Sequence, residues 1–214
     1  MKIIIKWRDF DMIDLTQDRL ADMSTKLSDW QKNTQFMKFL KDTPMSPQEN
    51  IQDLQTKLTE ENSVFKLIIE HTKQEIIWFV LFDHFNSDDM SLESYTRVDP
   101  NRNNLWIGTQ CRKKMIHELL SWTDIQKIIS WHSAWNQWSF IINKKSGFRL
   151  TDFAPNQTFL PNIGKITDDF KREIDTQQIH TLPGEIVDMD KKNRDAIMQW
   201  IQKHNLFHLL SINT

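Results

Sequence analysis

Between residues 64 and 99, three runs rich in β-branched and aromatic side chains follow one another with only a few polar residues between them. Residues 64–71 and 75–85 are separated by so short a connection that they read as an antiparallel hairpin, and residues 91–99 supply a third strand beside it. A chain with that centre builds its core on a sheet, and the segments before and after it must cover the sheet's faces.

The flanking patterns supply the cover. Ile107, Cys111, Met115, Leu119 and Trp122 recur at spacings of three or four, an apolar stripe on a helix beginning near Thr109. A strand follows at residues 127–133, then a short helix over residues 136–146 stopped by Gly147, because glycine tolerates the left-handed conformation at a helix end. Residues 148–153 and 168–175 are two last strands, joined by a polar loop holding Pro155 and Pro161. Ahead of the hairpin, residues 3–10 form an opening strand, and from Leu15 the pattern turns helical with Thr16 as N-cap and Asp18 in the first turn. The next helix is marked by Ser46-Pro47-Gln48-Glu49, an N-cap serine, a proline at the first helical position and a glutamate able to close a capping box; Ile51, Leu54 and Leu58 share one face. The expected class is α+β, a mixed and mostly antiparallel sheet flanked by helices, without internal repeats.

A chain of 214 residues buries a full core as one domain. We expect that domain over residues 1–182, with residues 183–214 as a C-terminal helical extension packed on it and a last helix near residues 191–204. In that helix Ala196, Ile197, Trp200 and Ile201 form an apolar face that covers the sheet, closes over a substrate site or meets a second subunit, so monomer and homodimer both stay open. The formal net charge of −2, with both signs interspersed, offers no basic stripe for nucleic acid. The single cysteine, Cys111, reads as a packed thiol in a reducing compartment. No apolar run approaches the ~20 residues of a membrane span, and the opening Ile3-Ile4-Ile5 is too short for a signal-peptide core, so a cytoplasmic protein without membrane attachment is expected. His204 and His208 stand four apart, as metal ligands on a helix would, but no third ligand is near and no metal is expected.

Chemistry enters with the glycines, of which the chain has four. A strand ending at Val98-Asp99-Pro100, a loop, and a helix opening near Ile107-Gly108-Thr109 bring unpaired backbone N–H groups and the positive end of a helix dipole to one point, an arrangement that binds phosphate. Arg112, Lys113 and Lys114 add positive charge, though a charge run on a helix is usually its solvated face.

Three stretches resemble the GNAT acyl-CoA N-acetyltransferase superfamily, in its RimJ/RimL-like branch. They are residues 8–39 with Pro44-Met45-Ser46-Pro47-Gln48-Glu49; Thr96-x-x-x-Pro100-x-Arg102 through Ile107-Gly108-Thr109-Gln110-x-Arg112; and Asn136-x-x-Ser139 with Gly147-Phe148. The resemblance implies a GNAT-like fold whose sheet splays between its fourth and fifth strands, residues 91–99 and 127–133, with acetyl-CoA in the opening. It implies that the backbone of Arg97 and Val98 pairs with the pantetheine arm, and that Asn103, Asn104, Leu105, Trp106, Ile107, Gly108 and Thr109 carry the pyrophosphate. Asn136 would hydrogen-bond the pantetheine, and Ser139 would protonate the leaving thiolate. For a general base, Glu93 and His132 are the candidates, each weighed against a plain role as a solvated strand residue or a satisfied interior histidine.

The implied activity is transfer of an acetyl group from acetyl-CoA to an amine, on a peptide N-terminus, an amino sugar or another small molecule, by direct attack on the thioester. Asn103 replaces the usual long donor of the family's cofactor segment, and three further positions depart from the family pattern: Trp106 stands at the first glycine of that segment, Asn143 where some members have a tyrosine acid, and Thr158 where ribosomal-protein-modifying relatives have a glutamate. They keep a second reading alive, a non-catalytic acyl-CoA-binding or interaction module on the same fold.

Overall fold

The structure, a computed structural model, describes residues 5–7, 10–38, 40, 42–102, 105–134, 136–162 and 164–175, together with 199, 202 and 203. The boundary expected at residue 182, the helix face at Ala196, Ile197, Trp200 and Ile201, and the pair His204 and His208 lie outside them.

Among the described residues eight strands form one sheet: β1 (Ile5–Trp7), β2 (Phe10–Asp14), β3 (Val64–Glu70), β4 (Glu75–Asn86), β5 (Ser91–Val98), β6 (Lys127–Ser133), β7 (Arg149–Leu160) and β8 (Lys165–Asp175). Their spatial order is β1-β2-β3-β4-β5-β6-β8-β7, and every neighbouring pair is antiparallel except β5 and β6. The helices are α1 (Leu20–Gln31), α2 (Thr34–Met37), α3 (Pro47–Thr59), α4 (Leu105–Trp122) and α5 (Gln137–Lys145).

The central hairpin is as expected, and the edges differ. The opening run is two strands, β1 and β2, with Trp7 opposite Phe10. The second carries acids through the strand because bases meet them across the sheet: Asp14 pairs with the buried ammonium of Lys66, and Asp11 with His71 at 2.8 Å. The fourth and fifth expected strands, between which the sheet is expected to splay, are therefore β5 and β6, and they are its parallel pair. At the far edge, the expected loop with Pro155 is strand: β7 runs on to Leu160, with a register break between Ala154 and Thr158. Proline is tolerated there because β7 is the last strand and the break releases a ladder hydrogen bond.

α3 opens on a closed capping box, with Ser46 N–H donating to the Glu49 carboxylate at 2.7 Å and Glu49 N–H to Ser46 Oγ at 3.3 Å. Its inward face is led by Asn50 and Leu54 rather than Ile51, because Asn50 Nδ2 donates to Ser28 Oγ of α1 at 2.8 Å.

Each face of the sheet has its own core. On one, Leu20, Met23, Leu27 and Trp30 of α1 and Leu54 of α3 pack on Phe65, Leu67, Phe79 and Leu81. On the other, Cys111, Met115, Ile116 and Leu119 of α4 and Ile142 of α5 pack on Ile68, Val80, Phe82, Leu92 and Ile128. The buried Cys111 is the packed thiol expected, its pKa pushed up to about 12 by desolvation. Among the described residues no helix is long and apolar enough to cross a membrane.

Candidate active site

β5 and β6 are eight and seven residues long, yet only three pairs join them: Ser91 with Lys127, Leu92 with Ile128 and Glu93 with Ile129. Beyond Glu93 the strands part. α4 begins at the open end, because the chain leaves β5 at Val98 and turns at once. Asp99 N–H donates to the carbonyl of Ile77, Asn101 N–H to Asp99 Oδ1 and Arg102 N–H to the carbonyl of Asp99, at 2.9, 2.8 and 2.9 Å. Arg102 is then held by Glu70 at 2.8 Å and Glu75 at 3.2 Å, which fixes the turn to the β3–β4 hairpin.

The helix starts four residues earlier than the sequence pattern predicts, so Leu105, Trp106 and Ile107 form its first turn and Gly108 lies inside it. Asn103 and Asn104 lie outside the described residues. A Cβ at Gly108 would fall 1.6 Å from Cη2 of the Trp78 indole. The demand for glycine therefore comes from the sheet. Trp78 Nε1 donates to Thr96 Oγ1, and that hydroxyl donates onward to the carbonyl of Phe79 at 3.1 Å, so Thr96 holds the ring against the helix. Thr109 follows, buried.

The opening is a cleft of about 110 Å³ that passes through the sheet. Alternation along β5 puts Tyr95 and Arg97 on the α1–α3 face, where the Lys57 ammonium lies 5.9 Å from the Tyr95 ring and Arg97 pairs with Asp42 at 2.6 Å. On the α4–α5 face the cleft is lined by Ser94 and Thr96 of β5, Ser130 and His132 of β6, Arg112 of α4, and Asn136, Ser139 and Asn143 around α5. Asn136 is the N-cap of α5, its Oδ1 accepting from Ser139 N–H at 3.1 Å. Ser139 is half-buried in the first turn, and Asn143, one turn on, is buried with its Oδ1 unpartnered.

His132 and Glu93 do not meet. Leu92 belongs to the α4–α5 core, so Glu93 points to the opposite face and lies outside the cleft, where its charge helps to raise the pKa of His84. His132 lies in the cleft, edge-on to Phe140 and Phe170 at 6.1 and 5.6 Å. Its pKa is pressed down to about 3, first by burial and then by the Arg172 guanidinium. Nδ1 faces the Ser133 carbonyl at 3.1 Å and so carries the proton, leaving Nε2 as an unpartnered lone pair.

Two buried arginines went unseen in the sequence pattern. Arg112, expected on a solvated face with Lys113 and Lys114, is 1 % exposed while both lysines are exposed. Arg172 of β8 is 4 % exposed and donates to the Phe148 carbonyl at 3.3 Å. Burial brings each pKa down to about 9, and for Arg112 the neighbouring Arg172 adds to it. The signal was there: residues 112, 115, 116 and 119 form one helical stripe, and Arg172 alternates with Phe170 and Ile174.

On the α1–α3 face a larger cavity, about 840 Å³, lies beside Ser28, Gln31, Met37, Pro44, Met45 and Asn162. Asn162, from the β7–β8 turn, closes its far side by donating to the carbonyls of Met37 and Asp42, both at 3.0 Å.

By sequence, no family model and no curated protein matches the chain. Solved structures do. A GNAT-family acetyltransferase from Bacillus anthracis matches over 82 % of this chain and 99 % of its own, at a TM-score of 0.67 and 11 % identity. RimL, a ribosomal L7/L12 alpha-N-protein acetyltransferase in complex with coenzyme A, matches over 81 % and 98 %, at 0.68 and 16 %. This chain has the GNAT acetyltransferase fold. The spermidine N-acetyltransferase of Vibrio cholerae, in complex with CoA and spermine, matches over 80 % and 98 %, at 0.67 and 12 %. Each match covers about four fifths of this chain and nearly all of the other.

Proposed function

We propose that the chain is an acetyl-CoA-dependent N-acetyltransferase acting on a primary amine, of a peptide N-terminus, an amino sugar or a small molecule, by direct attack on the thioester. The observation that carries this reading is the parting of β5 from β6 after three pairs, with the N-terminus of α4 at the open end. Among the described residues the parting leaves the β5 edge beyond Glu93 without a strand partner, so the backbone at Arg97 and Val98 is free to pair with an amide-bearing arm. The first-turn amides of α4, from Leu105 to Gly108, have no carbonyl within the helix to bond and receive the pyrophosphate, with Asn103 and Asn104 in the loop ahead and Thr109 behind. Asn143, with an unsatisfied carbonyl oxygen in the cleft, marks a place where a donor is missing and a bound amide supplies one. Coenzyme A fits these residues, and when bound it supplies the activated acyl group.

The chain's own residues then have separable tasks. Asn136 orders the turn that carries Ser139 and faces the arm, and a backbone N–H near Val98 stabilises the oxyanion. Ser139 Oγ gives the departing thiolate a proton. The amine arrives from the α1–α3 face, where Tyr95 and Arg97 line the cleft. In this reading His132, with a pKa near 3, is a weak base, and Glu93 stands on the acceptor side outside the cleft. Rate therefore rests on holding amine and thioester together, worth effective molarities of roughly 10⁵–10⁸ M against 10²–10⁴-fold for acid–base help. The names of two neighbours, a spermidine N-acetyltransferase and a ribosomal L7/L12 alpha-N-protein acetyltransferase, support an amine acceptor without choosing its class.

The test is calorimetry with acetyl-CoA followed by thiol release against an amine panel. Saturable binding and amine-dependent thiol release are expected, and Ser139→Ala should lower turnover roughly 10-fold or more with donor affinity unchanged. No binding at millimolar acetyl-CoA sinks the reading. Binding without turnover on any amine favours the non-catalytic module, which the orphaned amide Asn143, having no acidic proton, also suits.

A further inference from the structure

The closed end of the cleft carries positive charge that the fold does not balance. Ser94 and Ser130 are the first residues past the last β5–β6 pair, and both are buried there. Arg112 reaches the same point from α4, one terminal nitrogen donating to Ser94 Oγ, while its Nε has no partner. The Phe148 ring lies 4.7 Å below the guanidinium. Behind it stands Arg172, stacked on Phe140 at 4.3 Å, its Nε likewise unpartnered. Among the described residues no carboxylate pairs with either arginine. A buried charge without a partner costs several kcal/mol, more than stacking on a ring returns, and a second guanidinium beside it adds repulsion. An anionic ligand removes that cost.

Topology says which ligand reaches it. A donor entering at the open end, with its phosphates at α4, runs along β5 from Val98 toward Ser94, so its acyl group is the part that arrives at the closed end. An acceptor entering from the α1–α3 face meets Tyr95 and Arg97 first. We propose that Ser94, Arg112 and Ser130 form a carboxylate subsite, and that the acyl group this chain transfers is a short one ending in a carboxylate, of the malonyl, succinyl or glutaryl class. The proposal rests on the acyl-transfer reading and changes its donor. The cleft, about 110 Å³, has room for a short acyl chain. In the reaction the amine nitrogen bonds to the thioester carbonyl carbon and the C–S bond breaks; the departing thiolate takes the Ser139 Oγ proton, and the hydroxyl is restored by the proton that the amine gives up. The terminal carboxylate stays ionised on Arg112 throughout.

The experiment compares free CoA, acetyl-CoA, butyryl-CoA and succinyl-CoA on the full chain by calorimetry and thiol release. Succinyl-CoA should bind roughly 10-fold or more tighter than butyryl-CoA, which matches it in chain length without the charge. In Arg112→Met that preference should vanish with free-CoA affinity retained, and in Arg112→Lys it should partly return. If Arg112→Met does not fold, the wild-type donor preference decides alone. Equal or tighter binding of the neutral donors overturns the subsite while leaving acyl transfer standing, whereas no binding of any of the four, free CoA included, fails the acyl-transfer reading itself. An advantage for α-amino acids over the matching amines, lost in Arg112→Met and without a donor preference, overturns the donor assignment and moves the carboxylate to the acceptor.

Discussion

At Gly108 two demands meet in one residue, a helix start that offers amides to an anion and a tryptophan ring that leaves no room for a side chain. They separate by mutation. Gly108→Ala drives a methyl into the Trp78 ring, 1.6 Å from its nearest carbon, and should destabilise the fold by about 1–3 kcal/mol in denaturant melts. Trp78→Leu in the same chain should return part of that loss, a coupling between neighbours rather than a sum. If coenzyme A affinity also returns in the double variant, the glycine serves Trp78 and the anion needs only the backbone. Gly108 was visible in the sequence because glycine is rare in this chain; its reason was not, since Trp78 lies thirty residues away on another strand. Arg112 shows the converse. Next to two lysines it reads as solvated, and only the position of α4 over the parted strands makes it the buried member of the three.

The capping of α5 is an element-scale device with a local and a longer-range task. Asn136 Oδ1 accepts from Ser139 N–H, which a carboxylate does equally well, so Asn136→Asp should leave the melting temperature within a degree or two. An accompanying fall in coenzyme A affinity assigns Asn136 a task beyond the cap, and unchanged affinity leaves it a cap alone. Asn136→Ala should cost about 1 kcal/mol in either case. Elements with self-contained signals were legible in this way: the capping box of α3, the central hairpin, and the stop at Gly147, whose φ of 95° is open to glycine. Those that depend on a neighbour were not. β2 needs Lys66 and His71 opposite its acids, and β7 carries Pro155 because no described residue pairs on its outer edge.

For the molecule as a whole, the buried basic cluster sets the response to acid. His132 has a folded pKa near 3 against its ordinary 6.5, so below about pH 6.5 the unfolded chain binds a proton that the folded chain refuses. Stability is then unaffected above that pH and falls as the pH drops through the window toward 3, by at most about 1.4 kcal/mol per pH unit from this group. Denaturant melts at pH 7.5 and 5.5 should show the loss, and His132→Phe should flatten it. An equal slope in the variant would remove His132 as its source. A bound carboxylate beside Arg112 should reduce the slope as well, since it offers the imidazolium a nearby counter-charge. The sequence by itself determined that the core is a sheet with helices to cover it, and where α3 starts and α5 stops, because those signals are local and periodic. Only the tertiary structure decided that β5 and β6 part after three pairs, that Glu93 and His132 face opposite sides, and that two arginines lie beneath the cleft. Each of these depends on which segments become neighbours, and the burial and charge that give a side chain its chemistry come from those neighbours.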